Sequence, residues 1–236
     1  IESCISCIEK PIEEIYAALS PVLTTALQNP ELKCAALRCF TQLAKISPQS
    51  YQADIDSHVK LLAMILQTDE IYAIIDAVLC LKEIASNCIF SLVPYLNDLF
   101  PLIINLLKLH PIKPSRNDVN DQDIDLQESI LVCIASLVAY MPNHIPPVAR
   151  QFRDLLTHCV NHNVGLYEAV CRSIVIAADG FKDLGMIDIF DILLPLIQEI
   201  SKTDIRSLII WVHKAISALL MTFGNELALK YLTEIK

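Results

Sequence analysis

The sequence predicts an all-α protein made of repeated pairs of antiparallel helices, and three observations point there. Of the 236 residues 54% are hydrophobic, only 6% are aromatic and 4 are glycine, a balance that suits helices rich in Leu, Ile and Ala and disfavours a strand-and-turn protein. Apolar residues lie in stripes at helical spacing. Related segments return at a regular interval, so no single helix has to bury its apolar face alone.

The repeat is read first from proline. Three segments hold a proline inside an apolar stripe: Ile15 to Leu27 around Pro21, Leu96 to Leu107 around Pro101, and Phe190 to Ile200 around Pro195. They read Leu-Ser-Pro-Val-Leu, Leu-Phe-Pro-Leu-Ile and Leu-Leu-Pro-Leu-Ile. The prolines stand 80 and 94 residues apart, which is two periods of about 40 and two of about 47, inside the range of HEAT and armadillo units. Five proline-free helices alternate with them: Leu32 to Ile46, Ile71 to Ser86, Leu126 to Tyr140, Leu166 to Ala178, and Ile205 to Leu220. Aligned on Ala44, Ala85, Ala139 and Ala178, the first four step by 41, 54 and 39 residues. The surplus in the middle step falls in His110 to Gln122, which contains Pro111 and Pro114 and reads as an inserted acidic loop in solvent.

The expected architecture is therefore an α-solenoid, an α-α superhelix of about five HEAT-type antiparallel helix pairs, running as one array over residues 1–236. A separate last helix is expected from Glu226 to Lys236. Short turns inside pairs, at Gln28 to Glu31, Gln67 to Glu70, Asn161 to Gly165 and Ser201 to Asp204, supply side-chain acceptors expected to cap the helix that follows. The opening Ile1-Glu2, inside a helical pattern and without an initiator Met, reads as a piece of a longer protein whose two ends expose stacking surface.

Charge and cysteine content narrow the function. A formal charge of −9 with no Lys/Arg cluster argues against a nucleic-acid face and favours basic or neutral protein partners. No run reaches the roughly 18–20 uninterrupted apolar residues of a membrane span; the richest, Leu208 to Phe223, carries His213 and Lys214. Nine cysteines, an odd number set within helical apolar patterns, fit free buried thiols in a reducing compartment, cytoplasm or nucleus.

Motifs for chemistry are weak. Cys4-Ile5-Ser6-Cys7 is half a zinc or redox pattern with no second half, and reads as two thiols on one helix face. His158 and His162 stand at i, i+4, where two imidazoles can chelate, but without an intervening acid they read as surface residues of a last helical turn. Gly165, Gly180, Gly185 and Gly224 are scattered, so no phosphate loop forms, and no G-x-S-x-G elbow occurs. No catalytic, cofactor-binding or metal-ligating residue is assigned, no cofactor is expected, and an enzyme is not.

Two features read as binding. Trp211, the only tryptophan, belongs to a helix whose buried stripe is Leu208, Val212, Ala215, Ile216, Leu219 and Phe223; it therefore lies with Asp204, Ser207, Lys214 and Ala218 on the more polar face, as a partner anchor or as a wedge against the next repeat. Asp118, Asp121, Asp123, Asp125 and Glu128 form an acidic run that complements a helix N-terminus or meets a basic peptide.

The chain also resembles the importin-β, or karyopherin-β, family. Beyond the Leu-x-Pro-Leu-Ile first helices, the likeness is carried by Leu126-Gln127-Glu128-Ser129-Ile130-Leu131 after an acidic loop, a helix end before Ile145-Pro146-Pro147, and Ile174 to Phe181 followed by a last pair with Trp211-Val212-His213-Lys214. The resemblance implies a nuclear transport receptor that binds cargo, including basic import signals, on a concave face lined by second helices, with Ran and nucleoporins as further partners. By resemblance Trp211, Asp204 and the acidic run are the matching cargo positions. The alternative is a structural scaffold subunit of a multiprotein complex, of the phosphatase or chromosome-associated HEAT kind.

Overall fold

The computed structural model describes the backbone of residues 12–113, 121–203 and 205–234, and the side chains of 13–113, 122–203 and 205–226. Among the described residues there is no strand. The helices are α1 (Ile12–Ala26), α2 (Lys33–Ile46), a short α3 (Pro48–Ala53), α4 (Ile55–Ile65), α5 (Ile71–Asn87), a four-residue α6 (Ile89–Leu92), α7 (Leu96–Leu109), α8 (Asp121–Tyr140), α9 (Pro146–His162), α10 (Tyr167–Asp183), α11 (Ile189–Ser201) and α12 (Arg206–Glu234). They form two compact units, Ile1–Pro111 and Ile112–Lys236.

Pro21, Pro101 and Pro195 all lie inside helices, α1, α7 and α11. A proline inside a helix removes one backbone N–H and strands the carbonyl four residues earlier. All three prolines are exposed, as are Ala17, Asn97 and Asp191, which own those carbonyls. Each proline thus lies on the outer side of its helix, where solvent can reach that carbonyl.

In the first unit α2 lies beside α5, and polar contacts about one period apart tie them. Lys33 Nζ donates to both carboxylate oxygens of Glu70 (2.6 and 2.8 Å), and Arg38 Nε reaches both oxygens of Asp76 (3.2 Å). The first helices are tied in the same way: Tyr16 donates to Asp54 (2.9 Å) and Tyr95 to Asp56 (2.8 Å). Between the two layers sits Tyr51, fully buried, edge-on to Tyr16 and Phe40 and 3.8 Å from the Cys80 thiol.

His58 is buried in the same cluster, 4.4 Å from the Phe40 ring and 4.7 Å from Tyr51, with no hydrogen-bond partner for Nδ1. Burial lowers its pKa more than the nearby Asp54 carboxylate raises it. The unfolded chain takes up this proton near pH 6.5, while the folded chain resists it until lower pH, so stability is lost as pH falls from about 6.5 toward the folded value. The melting temperature is expected to drop from pH 7 to pH 5, and less steeply in His58→Leu. Identical pH profiles for the two proteins would show that His58 titrates freely.

In the second unit α10 is flanked by α8 and α12. Thr222 on α12 donates to Asp179 on α10 (2.8 Å), and Lys182 donates to the Thr222 carbonyl (2.7 Å) and meets Glu226 at 3.3 Å. The Phe152 and Phe181 rings stack at 6.4 Å. α10 stops at Gly185, whose φ of 67° follows a helix end closed by Met186 N to Phe181 O (3.0 Å) and Gly185 N to Lys182 O (2.8 Å).

Three details depart from the sequence expectation. α12 runs unbroken to Glu234, so there is no separate helix from Glu226 to Lys236. Gly224 does not adopt the left-handed turn that would end a helix, and the buried stripe through Leu219 and Phe223 runs right up to it. The expected 110–122 loop gives up its last two residues to α8, which starts at Asp121. The turns cap only in part: Asn163 caps the 3-10 turn Val164–Leu166 that leads into α10, accepting from Gly165 N (2.9 Å), whereas Asn29 accepts from Glu31 N (3.0 Å) to close a local turn and α2 and α5 start without a side-chain cap. By length and composition alone, Ile89–Leu109 and Arg206–Glu226 are long and apolar enough to cross a membrane, which a count of uninterrupted apolar residues does not register. The first of these is broken by Pro94 in a 3-10 turn.

Candidate functional site

In the second unit α8, α10 and α12 bring several of the candidate residues together. Trp211 on α12 is half-buried, with the Arg172 guanidinium carbon of α10 at 5.7 Å from its ring and Lys214 Nζ, one turn along α12, at 4.2 Å. Trp211 is thus both a contact between α12 and α10, through Arg172, and a partly open surface. Cations over an indole ring attract its electron-rich face, and such contacts strengthen as water is removed.

Arg172 also faces α8. Burial raises the pKa of the Glu128 carboxyl; Arg172 opposes that rise, and the Glu168 and Asp125 carboxylates add to it. Glu128 thus feels two neighbouring carboxylates, Asp125 and Glu168, and one guanidinium, Arg172. Glu128, Arg172, Trp211 and Lys214 make a continuous row across α8, α10 and α12.

Of the residues singled out in sequence, Trp211 and Glu128 meet this row, Asp125 is exposed beside it, and Asp123 is half-buried in the first turn of α8. Asp121 is the first residue of α8, and its side chain is outside the described residues, as are Asp118 and Asp204 altogether. Arg172, the residue that joins the two halves, was missed as a site residue. Its signal is positional: it stands six residues before Ala178, as Arg38 stands six before Ala44, and Arg38 likewise bridges to a neighbouring second helix.

The other candidates fall elsewhere. The His158 and His162 rings lie 4.0 Å apart, with His162 Nδ1 2.8 Å from the His158 carbonyl; burial and the second ring lower the pKa of His158. Among the described residues no group of three or more His, Cys, Asp or Glu could hold a metal ion, and Cys4 and Cys7 are outside them. Seven described cysteines are free thiols. Burial pushes Cys80 and Cys88 to about 11, and Cys159 and Cys171 to about 12, so these four stay protonated at neutral pH.

No family model and no curated protein matches the chain. Among solved structures it is similar to two engineered proteins from the Northeast Structural Genomics Consortium. One has a TM-score of 0.61 at 16% identity, covering 89% of this chain and 81% of that one. The other has a TM-score of 0.59 at 14% identity, covering 90% of this chain and 85% of that one. At such identities the likeness is one of helical fold.

Proposed function

We propose that the chain is an α-solenoid of HEAT-type helix pairs that binds proteins through its second helices, and that the face bearing Glu128, Arg172 and Trp211 takes a basic segment of its partner. The observation behind this is the setting of Glu128: burial first, and then the neighbouring Glu168 and Asp125 carboxylates, keep its carboxyl reluctant to ionise, with Arg172 the one cation opposing them. A Lys or Arg side chain docking there would complete the pairing, and its alkyl stem would lie along the Trp211 ring. Cross-linked neighbouring helices, as at Arg38 with Asp76 and Lys182 with Thr222, hold such a face in shape.

The narrower reading, a segment of a nuclear transport receptor, rests on the resemblance to the importin-β family, in which cargo release depends on Ran. Two experiments test the two levels. A fluorescein-labelled basic import-signal peptide, followed by anisotropy, is expected to bind the chain and to lose roughly tenfold in affinity, about 1.4 kcal/mol, with Glu128→Lys. Equal affinity for the variant would remove this face from the proposal. Pull-down of the protein with Ran loaded with GTP or GDP addresses transport: nucleotide-independent behaviour would leave a fixed scaffold instead.

A further inference from the structure

The last turn of α9 carries a pair of imidazoles on a held stretch of backbone. His158 and His162 stand at i, i+4, both exposed, with their ring centres 4.0 Å apart. Between them Cys159 and Val160 face inward and are buried. The Val160 carbonyl accepts from the Tyr167 hydroxyl of α10 (3.2 Å), and Asn163, itself buried, donates its N–H to the Cys159 carbonyl (2.9 Å) while its side chain caps the 3-10 turn that follows. Packing and these hydrogen bonds fix the turn that bears both rings, so the spacing of the pair is built in.

One hydrogen bond sets the chemistry of the pair. His162 Nδ1 lies 2.8 Å from the His158 carbonyl oxygen. That oxygen can only accept, so Nδ1 carries the proton and Nε2 keeps its lone pair for another partner. A ring N–H given to a backbone carbonyl is the outer contact that orients histidines bound to metal ions. Burial and the neighbouring ring hold the pKa of His158 below its usual value, which favours its neutral form at pH 7 as well. Asp154, one turn earlier on α9, is engaged by Arg153 (2.9 Å). Among the described residues no group of three or more His, Cys, Asp or Glu makes a closed site, so the pair stands as a two-nitrogen, open one.

From the ring spacing, the fixed tautomer and the held backbone together, we propose that His158 and His162 bind one divalent transition-metal ion of the imidazole-preferring class, such as Zn2+ or Ni2+, with water in its remaining positions. Two nitrogens at about 2.0–2.1 Å from a tetrahedral ion stand roughly 3.3 Å apart. Rings whose centres are 4.0 Å apart reach that bite when the exposed His158 ring turns toward His162 Nε2. Hard cations such as Mg2+ take oxygen ligands, and a pair of imidazoles selects against them. The ion also sits beside the last turn of α9, where the helix carbonyls favour positive charge.

The test is calorimetric titration of the chain with Ni2+ and, separately, with Mg2+, in the presence of a phosphine reductant that keeps the thiols reduced. Ni2+ is expected to bind and Mg2+ to give no heat of binding. His158→Asn and His162→Asn are each expected to weaken Ni2+ binding at least about tenfold. Both positions are exposed, so the variants keep the fold, as unchanged circular dichroism will show. Proton NMR locates the ion directly: the ring signals of His158 and His162 should broaden first as Ni2+ is added, ahead of the other histidines. No binding of Ni2+ by the wild type overturns the proposal. So does equal Ni2+ affinity in the wild type and both variants, which assigns the ion to cysteine, or Mg2+ binding as tight as that of Ni2+, which assigns it to the acidic surface.

Discussion

Replacing Gly180 by alanine is expected to destabilise the second unit far more than a surface substitution would. A Cβ on Gly180 would lie 2.0 Å from the Val138 carbonyl oxygen, 2.6 Å from its carbon and 3.0 Å from the Ala139 Cα, all backbone atoms of α8. Backbone cannot rotate aside as a side chain can, so α8 and α10 must separate. That loosens the packing around Phe181, Ile174 and Val138, each fully buried. Such overpacking costs about 1–3 kcal/mol and at a helix crossing sometimes more. Gly224 in α12 is the control: nothing lies within 4 Å of its added Cβ, and Gly224→Ala is expected to gain up to about 1 kcal/mol from backbone entropy. Thermal melts followed by circular dichroism should move in opposite directions. A Gly180→Ala protein that melts with the wild type would mean that α8 and α10 do not cross this closely.

Truncating Tyr51 to alanine is expected to cost about 3–5 kcal/mol, the range for a large buried aromatic side chain. The ring is fully buried and touches both layers of the first unit, through Tyr16 and Phe40, and it packs on His58. Removing it leaves a void beside an imidazole that already lacks one partner. Tyr51→Phe separates packing from polarity. The hydroxyl is 3.8 Å from the Cys80 sulfur, a weak contact, so its loss should cost under about 1 kcal/mol. Urea denaturation of the two variants gives the comparison; a Tyr51→Phe loss as large as that of Tyr51→Ala would place the stabilisation in the hydroxyl.

The fold was legible where it depends on short-range pattern. The stripes around Pro21, Pro101 and Pro195 each fold as a helix with the proline inside it, because the pattern that marks them is local. What was missed depends on neighbours distant in sequence. Nothing local distinguishes Gly180, pressed against Val138, from Gly224, which meets nothing. The end of α12 was placed too early because a glycine reads as a stop unless the buried stripe through Phe223 is weighed against it. Of the site, Trp211 and Glu128 stood out by rarity and charge, but Arg172 had no local signal beyond its match to Arg38, and it is Arg172 that joins them. Of the turn acceptors Asn163 does cap, through Gly165 N at the start of the 3-10 turn that leads into α10, whereas Asn29 bonds to Glu31 N before α2 begins.

Binding through the second-helix face is tested most directly by the emission of Trp211, the only tryptophan in the chain. A basic import-signal peptide, free of tryptophan and shown by anisotropy to be bound, should displace Lys214 or Arg172 from the indole and change its emission in proportion to occupancy, with the titration moved to roughly tenfold higher peptide in Glu128→Lys. Peptide bound at saturation while Trp211 emission stays constant would contradict the account.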